Sequence, residues 1–235
     1  VLGVTLLFSS ITLGRDTTWI DLPLLMVVVL VTWFLLNDLE LSRSNSLVLL
    51  GMLALFFFRV AQHAKQSDDD IEAREIPTLT LPLAWLSFLG GLALLIASSR
   101  ILVWAASHIA AELGVSELVI GLTIVAVGTS LPELAASVTS ALKGHADMAV
   151  GAIVGSNMFN ILLVLAIPGF WGNLPIQQAV ISRDLLAVFL TTLTLALAAF
   201  WRWNGESGSG TLSRPAGATL LSLYVAYYGW LFLLP

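Results

Sequence analysis

Seven stretches of this chain are apolar for about the depth of a bilayer: Trp19–Leu36, Asn45–Ala64, Leu83–Ala110, Glu117–Leu142, Met148–Phe170, Ala179–Trp203 and Ala216–Leu234. Hydrocarbon offers backbone N–H and C=O groups no partner, so a segment there must satisfy them internally, and a helix of about 20 residues does so. Between the stretches lie residues that helices tolerate poorly: Asn37-Asp38, Pro77 and Pro82, Gly114, Lys143-Gly144, Gly172-Asn173 and the run Gly205–Pro215. The reading is an all-α membrane protein of about seven transmembrane helices. An eighth apolar run, Val1–Phe8, is too short to span and reads as the tail of a truncated helix. No basic region precedes it, so a cleaved signal peptide is not expected.

Composition narrows the function classes. Hydrophobic residues make up 58% and charged ones 11%, where soluble domains average about 25% charged. Cysteine is absent, which removes disulfides, thiolate metal sites and cysteine nucleophiles. No basic patch offers a surface to nucleic acid.

Basic residues set the orientation. If loops alternate sides, one side carries Arg15, Arg59, Lys65, Arg74, Lys143, Arg202 and Arg214, and the other Arg43 and Arg183. The positive-inside rule then places the one long polar loop, Gln62–Pro82 with its Asp68-Asp69-Asp70 run, in the cytoplasm. Arg100, inside the third span toward its outer end, is read as snorkelling to the interface. A weak internal echo also runs through the chain. Shifted by 163 positions, Val1-Leu2 falls on Val164-Leu165 and Asp21-Leu22 on Asp184-Leu185, with an acid at a span entrance each time. Such duplication fits the repeats from which many transporters are built. Residues 83–163 precede the aligned point in the second copy, and their counterpart before Val1 is absent from this chain.

Of fifteen acids, only Glu133 sits deep within a span. A carboxylate there costs about 2.5–3.5 kcal/mol on insertion scales, which marks intramembrane acids as pathway or site residues. It closes the run Gly128-Thr129-Ser130-Leu131-Pro132-Glu133. Pro132 lacks an N–H, so the carbonyl of Gly128 loses its helical partner and the helix kinks or breaks. The expected result is a patch of free carbonyls, two hydroxyls and one carboxylate at mid-depth. Hard cations take such donors; Ca²⁺ binds about 6–8 oxygens. The next span adds Ser156, Asn157 and Asn160, the first and last sharing a helix face. Gly151 and Gly155 there have the spacing that lets helices approach closely. Thr123, Ser137, Thr139 and Ser140 are read as bonding back to their own backbone. His63, His108 and His145 do not converge and carry no site.

The paired runs Gly128–Glu133 and Gly155-Ser156-Asn157-Met158-Phe159-Asn160 resemble the second α-repeat of the calcium/cation antiporter (sodium/calcium exchanger) superfamily, closest to its bacterial inner-membrane calcium/sodium antiporter-like branch. The resemblance implies an inverted-repeat fold of ten helices in two five-helix halves. Residues 1–64 would end the first half, 65–82 form a cytoplasmic acidic linker, and 83–235 make the second half with its motif at 121–164. It also implies that Glu133 is the central carboxylate for Ca²⁺ and Na⁺, that Thr129 and Ala126 offer carbonyls, and that Ser130 and Ser156 offer hydroxyls. Asn160 stands where some members carry Asp, one negative charge fewer. The first α-repeat lies outside this chain and would be its partner.

Antiport of Ca²⁺ against Na⁺ or H⁺ across a bacterial inner membrane is the expected function, the ions being cargo with no resident cofactor. A non-transporting or incomplete fragment is the alternative. An intramembrane enzyme with Ser130 as nucleophile fails because no His, Lys or Asp faces it as base.

Overall fold

The computed structural model describes residues 1–64, 80–115, 117–144 and 146–233. The expected acidic linker lies outside these residues except for Thr80–Pro82. Five helical segments are long and apolar enough to cross a membrane: Thr17–Leu35, Arg43–Gln62, Leu81–Glu112, Ala149–Gly169 and Val180–Trp201. A sixth is a pair, Thr123–Thr129 and Leu131–Leu142, bent by 45°. The last expected span falls on the 20-residue helix Arg214–Leu233, which is not among these segments. The protein is multi-pass, with five or six spans among the described residues by length and composition.

The chain divides into two compact units, Val1–His63 with Ser137–Pro235, and Ala64–Ala136. In the first, α1 (Leu2–Phe8) leads to β1 (Ile11–Leu13), a π-helical turn at Thr17–Asp21, α2 (Leu22–Leu35), β2 (Glu40–Leu41) and α3 (Arg43–Ala64). Pro23 follows the π-turn inside the continuous helical segment Thr17–Leu35, where its missing N–H withdraws one intrahelical donor. The second unit holds α4 (Leu81–Glu112), α5 (Glu117–Ile120), a π-turn at Gly121–Val125, α6 (Ala126–Thr129) and the start of α7 (Leu131–Leu142). The chain then returns to the first unit through α8 (Ala146–Phe159), a π-turn at Asn160–Val164, α9 (Ala166–Gly169), β3 (Leu174–Pro175), a π-turn at Val180–Leu185, α10 (Leu186–Trp201), β4 (Trp203–Asn204), β5 (Ser209–Leu212) and α11 (Arg214–Leu233).

Within the first unit the echo becomes geometry. β1 starts at Ile11 and β3 at Leu174, and the π-turns that follow start at Thr17 and Val180, all 163 positions apart. The strand before α2 pairs with the strand before α11, Ile11 opposite Leu212. The strand before α10 pairs with the strand before α3, Leu41 opposite Leu174. Exchanging the two copies maps one pairing onto the other, and because β1 and β2 lie at opposite ends of α2, the copies run in opposite directions. That is an inverted repeat. The sheets also join the loops carrying Arg15 and Arg202, and those carrying Arg43 and Arg183, as the side assignment requires.

The core of this unit is formed by Leu6, Leu13, Leu22, Leu25, Met158 and Leu162, each at most 1% exposed. Large apolar side chains elsewhere stay exposed, Phe34 at 80% among them, as a surface solvated by lipid requires. Helical hydroxyls bond back to the preceding turn: Thr32 to the Val28 carbonyl at 2.8 Å, Thr192 to Val188 at 2.8 Å and Thr194 to Leu190 at 2.7 Å.

Candidate cation site

The motif at Gly128–Glu133 lies at the bend. The N–H of Ser130 donates to the Val127 carbonyl at 3.0 Å, a tightened bond, and that of Leu134 to the Ser130 carbonyl at 2.9 Å. Ser130 between them has φ −91°, ψ 0°, outside the α region that the residue second before proline would hold in an unbroken helix. Just upstream the π-turn Gly121–Val125 widens the same helix, and another π-turn begins at Asn160. Such bulges occur mostly as single turns and often at functional sites. Nothing in the residue pattern announced them.

Three of the expected ligands, Ala126, Thr129 and Ser130, are joined by hydrogen bonds here. Thr129 Oγ1 donates to the Ala126 carbonyl at 3.1 Å, and Ser130 Oγ donates to the same oxygen at 3.3 Å. Each hydroxyl thereby uses its proton inward and keeps its lone pairs for a cation. Glu133, in the first turn of α7, is half-buried, and its Oε2 is buried with no hydrogen-bond partner among the described residues. An unpartnered buried carboxylate oxygen is costly, and a cation would satisfy it. Among the described residues no group of three or more His, Cys, Asp or Glu gathers to hold a metal.

Two expectations need correction. The Gly128 carbonyl is not free: Ser99 Oγ of α4 donates to it at 2.8 Å in a buried bond. Pro132 withdraws one donor, and a neighbouring helix supplies another. Ser137 does not bond back to its backbone but is buried with its hydroxyl unpartnered, whereas Thr123 does bond back, to the Val119 carbonyl at 2.6 Å.

The other three expected ligands lie in the first unit. Ser156 is half-buried, and Asn157 and Asn160 are exposed. α8 turns Val150, Ile153, Val154 and Met158 into the core, which leaves these polar residues off its apolar face. Among the described residues nothing lies within 4 Å of a methyl built on Gly151 or Gly155. At Gly128, by contrast, a methyl would overlap Val103 of α4.

The profile of the family described as sodium/calcium exchanger protein matches residues 83–233. A protein of Alkalimonas amylolytica named as an antiporter, CaxA, is 38% identical over 99% of this chain and 73% of its own length. The inner membrane protein YrbG of Escherichia coli is 33% identical over 97% of this chain and 72% of its own. Among solved structures, the sodium-calcium exchanger NCX_Mj soaked with Na⁺ and Sr²⁺ superposes with a TM-score of 0.77 at 25% identity, covering 97% of this chain and 70% of that one.

Proposed function

The chain belongs to the sodium/calcium exchanger family, a family of cation antiporters, and from that premise we propose that it exchanges Ca²⁺ for Na⁺ at one oxygen-lined site inside the membrane. The observation that carries this reading is Oε2 of Glu133, buried and without a hydrogen-bond partner among the described residues, in the helical turn that follows two hydroxyls whose protons are donated inward. Exchange follows from its electrostatics. An empty, charged Glu133 is too costly to carry across a reorientation in hydrocarbon, so one cation leaves only as another replaces it. Glu133 supplies the charge, Ser130 its hydroxyl and Thr129 its carbonyl, and the Ala126 carbonyl, which accepts from both hydroxyls, would join them on giving up one of these bonds. The motif on the following helix, Ser156, Asn157 and Asn160, offers neutral oxygens of its own. The duplication supports a facing wall from a counterpart motif elsewhere in the same protein.

Na⁺ rather than H⁺ is proposed as counter-ion because the matching family and the solved neighbour are both described by Na⁺ and Ca²⁺. The bacterial inner membrane is proposed as the location because YrbG is named for it. No cofactor and no chemical step enter this scheme. The test is Ca²⁺ uptake by vesicles carrying the native protein, driven in turn by a Na⁺ gradient and by a pH gradient. Glu133→Gln keeps the shape and removes the charge, and uptake is expected to fall at least about a hundredfold, the scale of losing a formal counter-charge from a buried ion. Near-normal uptake by the variant would end the reading, and uptake driven by pH alone would replace Na⁺ with H⁺.

A further inference from the structure

Pro132 leaves the Gly128 carbonyl without a helical donor, and the structure meets that need from another helix. Three observations converge on the same turn of α4. Ser99 Oγ lies 2.8 Å from the Gly128 oxygen, buried, 29 residues away in sequence. Ser99 is the one buried residue of the 32 in α4. Val103, one turn further along α4, fills the place where Gly128 has no side chain. A long apolar helix is thus fixed to the break by one hydroxyl and one notch.

We propose that Ser99 is a positioning residue for the cation site: its hydroxyl takes the Gly128 carbonyl and so fixes the course of the chain through Thr129 and Ser130 to Glu133. A carbonyl without a donor in apolar surroundings seeks one or turns toward any cation nearby. With Ser99 in place it does neither. The ligands that follow are then held in position before the ion arrives, which is what makes a site bind well. The effect on Ca²⁺ rests on the exchanger reading above; the effect on the backbone does not.

Two readouts test it on the reconstituted protein. The first is hydrogen exchange at the amides of Ser130 and Leu134, which close the bonds on either side of the bend. Ser99→Ala is expected to speed it about tenfold, the loss of one net hydrogen bond, while Ser99→Thr, which retains the hydroxyl, stays within about twofold of the native rate. The second is the KM for Ca²⁺, expected to rise about tenfold in Ser99→Ala at little-changed maximal rate per folded molecule, and to be restored by Ser99→Thr. Ser99→Cys keeps the volume with a weaker donor and is expected to move both in the same direction, which keeps the test open if the alanine variant does not fold. Unchanged amide exchange would overturn the proposal. Faster exchange with an unchanged KM would overturn the positioning role and leave only a structural bond. Faster exchange in Ser99→Ala, where the native protein itself moves no Ca²⁺, would uphold the latch and sink the exchanger reading instead.

Discussion

The two inverted copies, Ile11–Ala64 and Leu174–Leu233, follow one path but are fastened differently at each joint. At the span entrance Asp21 meets Arg59, reached from the far end of α3 at 2.9 Å. Its counterpart Asp184 meets its own neighbour Arg183 at 2.7 Å and the Tyr227 hydroxyl of α11 at 3.1 Å. In the connector after α2 the left-handed position falls on Leu39, φ 61°, braced by its N–H to the Leu36 carbonyl at 2.9 Å and by Ile176 donating to its own carbonyl at 2.7 Å. In the connector after α10 Gly208 takes φ 62°, which glycine does without strain. Helix ends also meet closely in both copies, through a glycine on each partner, Gly3 and Gly217, in the first contact and through one glycine, Gly169, in the second. Gly217 of α11 lies against Leu6 of α1, whereas Gly169 of α9 lies against Ser46 of α3. What recurs is the requirement, a carboxylate at the wide turn and a missing side chain at the contact. The residue that meets it does not recur.

The close approaches give the largest expected effect. A methyl on Gly217 would stand 2.7 Å from Leu6 Cβ and 2.8 Å from the Gly3 carbonyl, neither of which can rotate away. Gly217→Ala is expected to cost about 2–3 kcal/mol, the upper range for overpacking. At Gly169 the atom in the way is the Ser46 hydroxyl, buried and unpartnered among the described residues. Gly169→Ala is expected to cost about 1 kcal/mol, and Ser46→Gly to recover most of it by moving the gap to the other partner. Thermal unfolding in detergent measures all three. A larger loss at Gly169 than at Gly217 would break the comparison.

These joints also show what could be read from residues alone. The spans were legible because apolarity is local and summed over about 20 residues. The break was legible because proline states its missing N–H, and Glu133 because a deep acid has no ordinary reason to be there. The inverted repeat showed only as two matched pairs, since its substance is strand pairing between distant loops, Ile11 with Leu212 and Leu41 with Leu174. Ser99 was illegible. Nothing separates it from Ser98 beside it, which donates to the Leu95 carbonyl of its own helix at 3.0 Å; only the rotation of α4 decides which one faces Gly128. Gly151 and Gly155 show the converse, a spacing that permits close approach without requiring it among the described residues.

The acid joints rank next. Arg59 and Asp21 are 31% and 29% exposed, so solvent screens part of their attraction. Arg59→Ala is expected to cost about 1 kcal/mol, the upper end for pairs of this exposure. It removes the partner that holds Asp21 across α3. Arg183→Ala is expected to cost less, because the Tyr227 hydroxyl remains on Asp184. Equal losses would mean that the tyrosine contributes nothing.

The smallest expected effect is at Tyr227 itself. Its hydroxyl shares Oδ1 of Asp184 with Arg183 Nε, which lies nearer, at 2.7 Å against 3.1 Å. With the guanidinium in place, Tyr227→Phe removes a second donor from an oxygen already held by a charged one, and Asp184 is 30% exposed, so water can replace the lost hydroxyl. About 0.5 kcal/mol is expected, the low end for a net hydrogen bond. Without the guanidinium the same substitution takes the last donor named here from that carboxylate, and the cost should rise to about 1 kcal/mol or more. A double-mutant cycle on Arg183 and Tyr227 therefore separates two ways of fastening a carboxylate. Strong coupling would mean that two weak donors replace, in the second copy, the single long reach of Arg59 in the first. Strict additivity would mean that the two donors act independently, and no loss at Tyr227 in either background would mean that Arg183 alone holds Asp184, making the two copies alike in chemistry as well as in path.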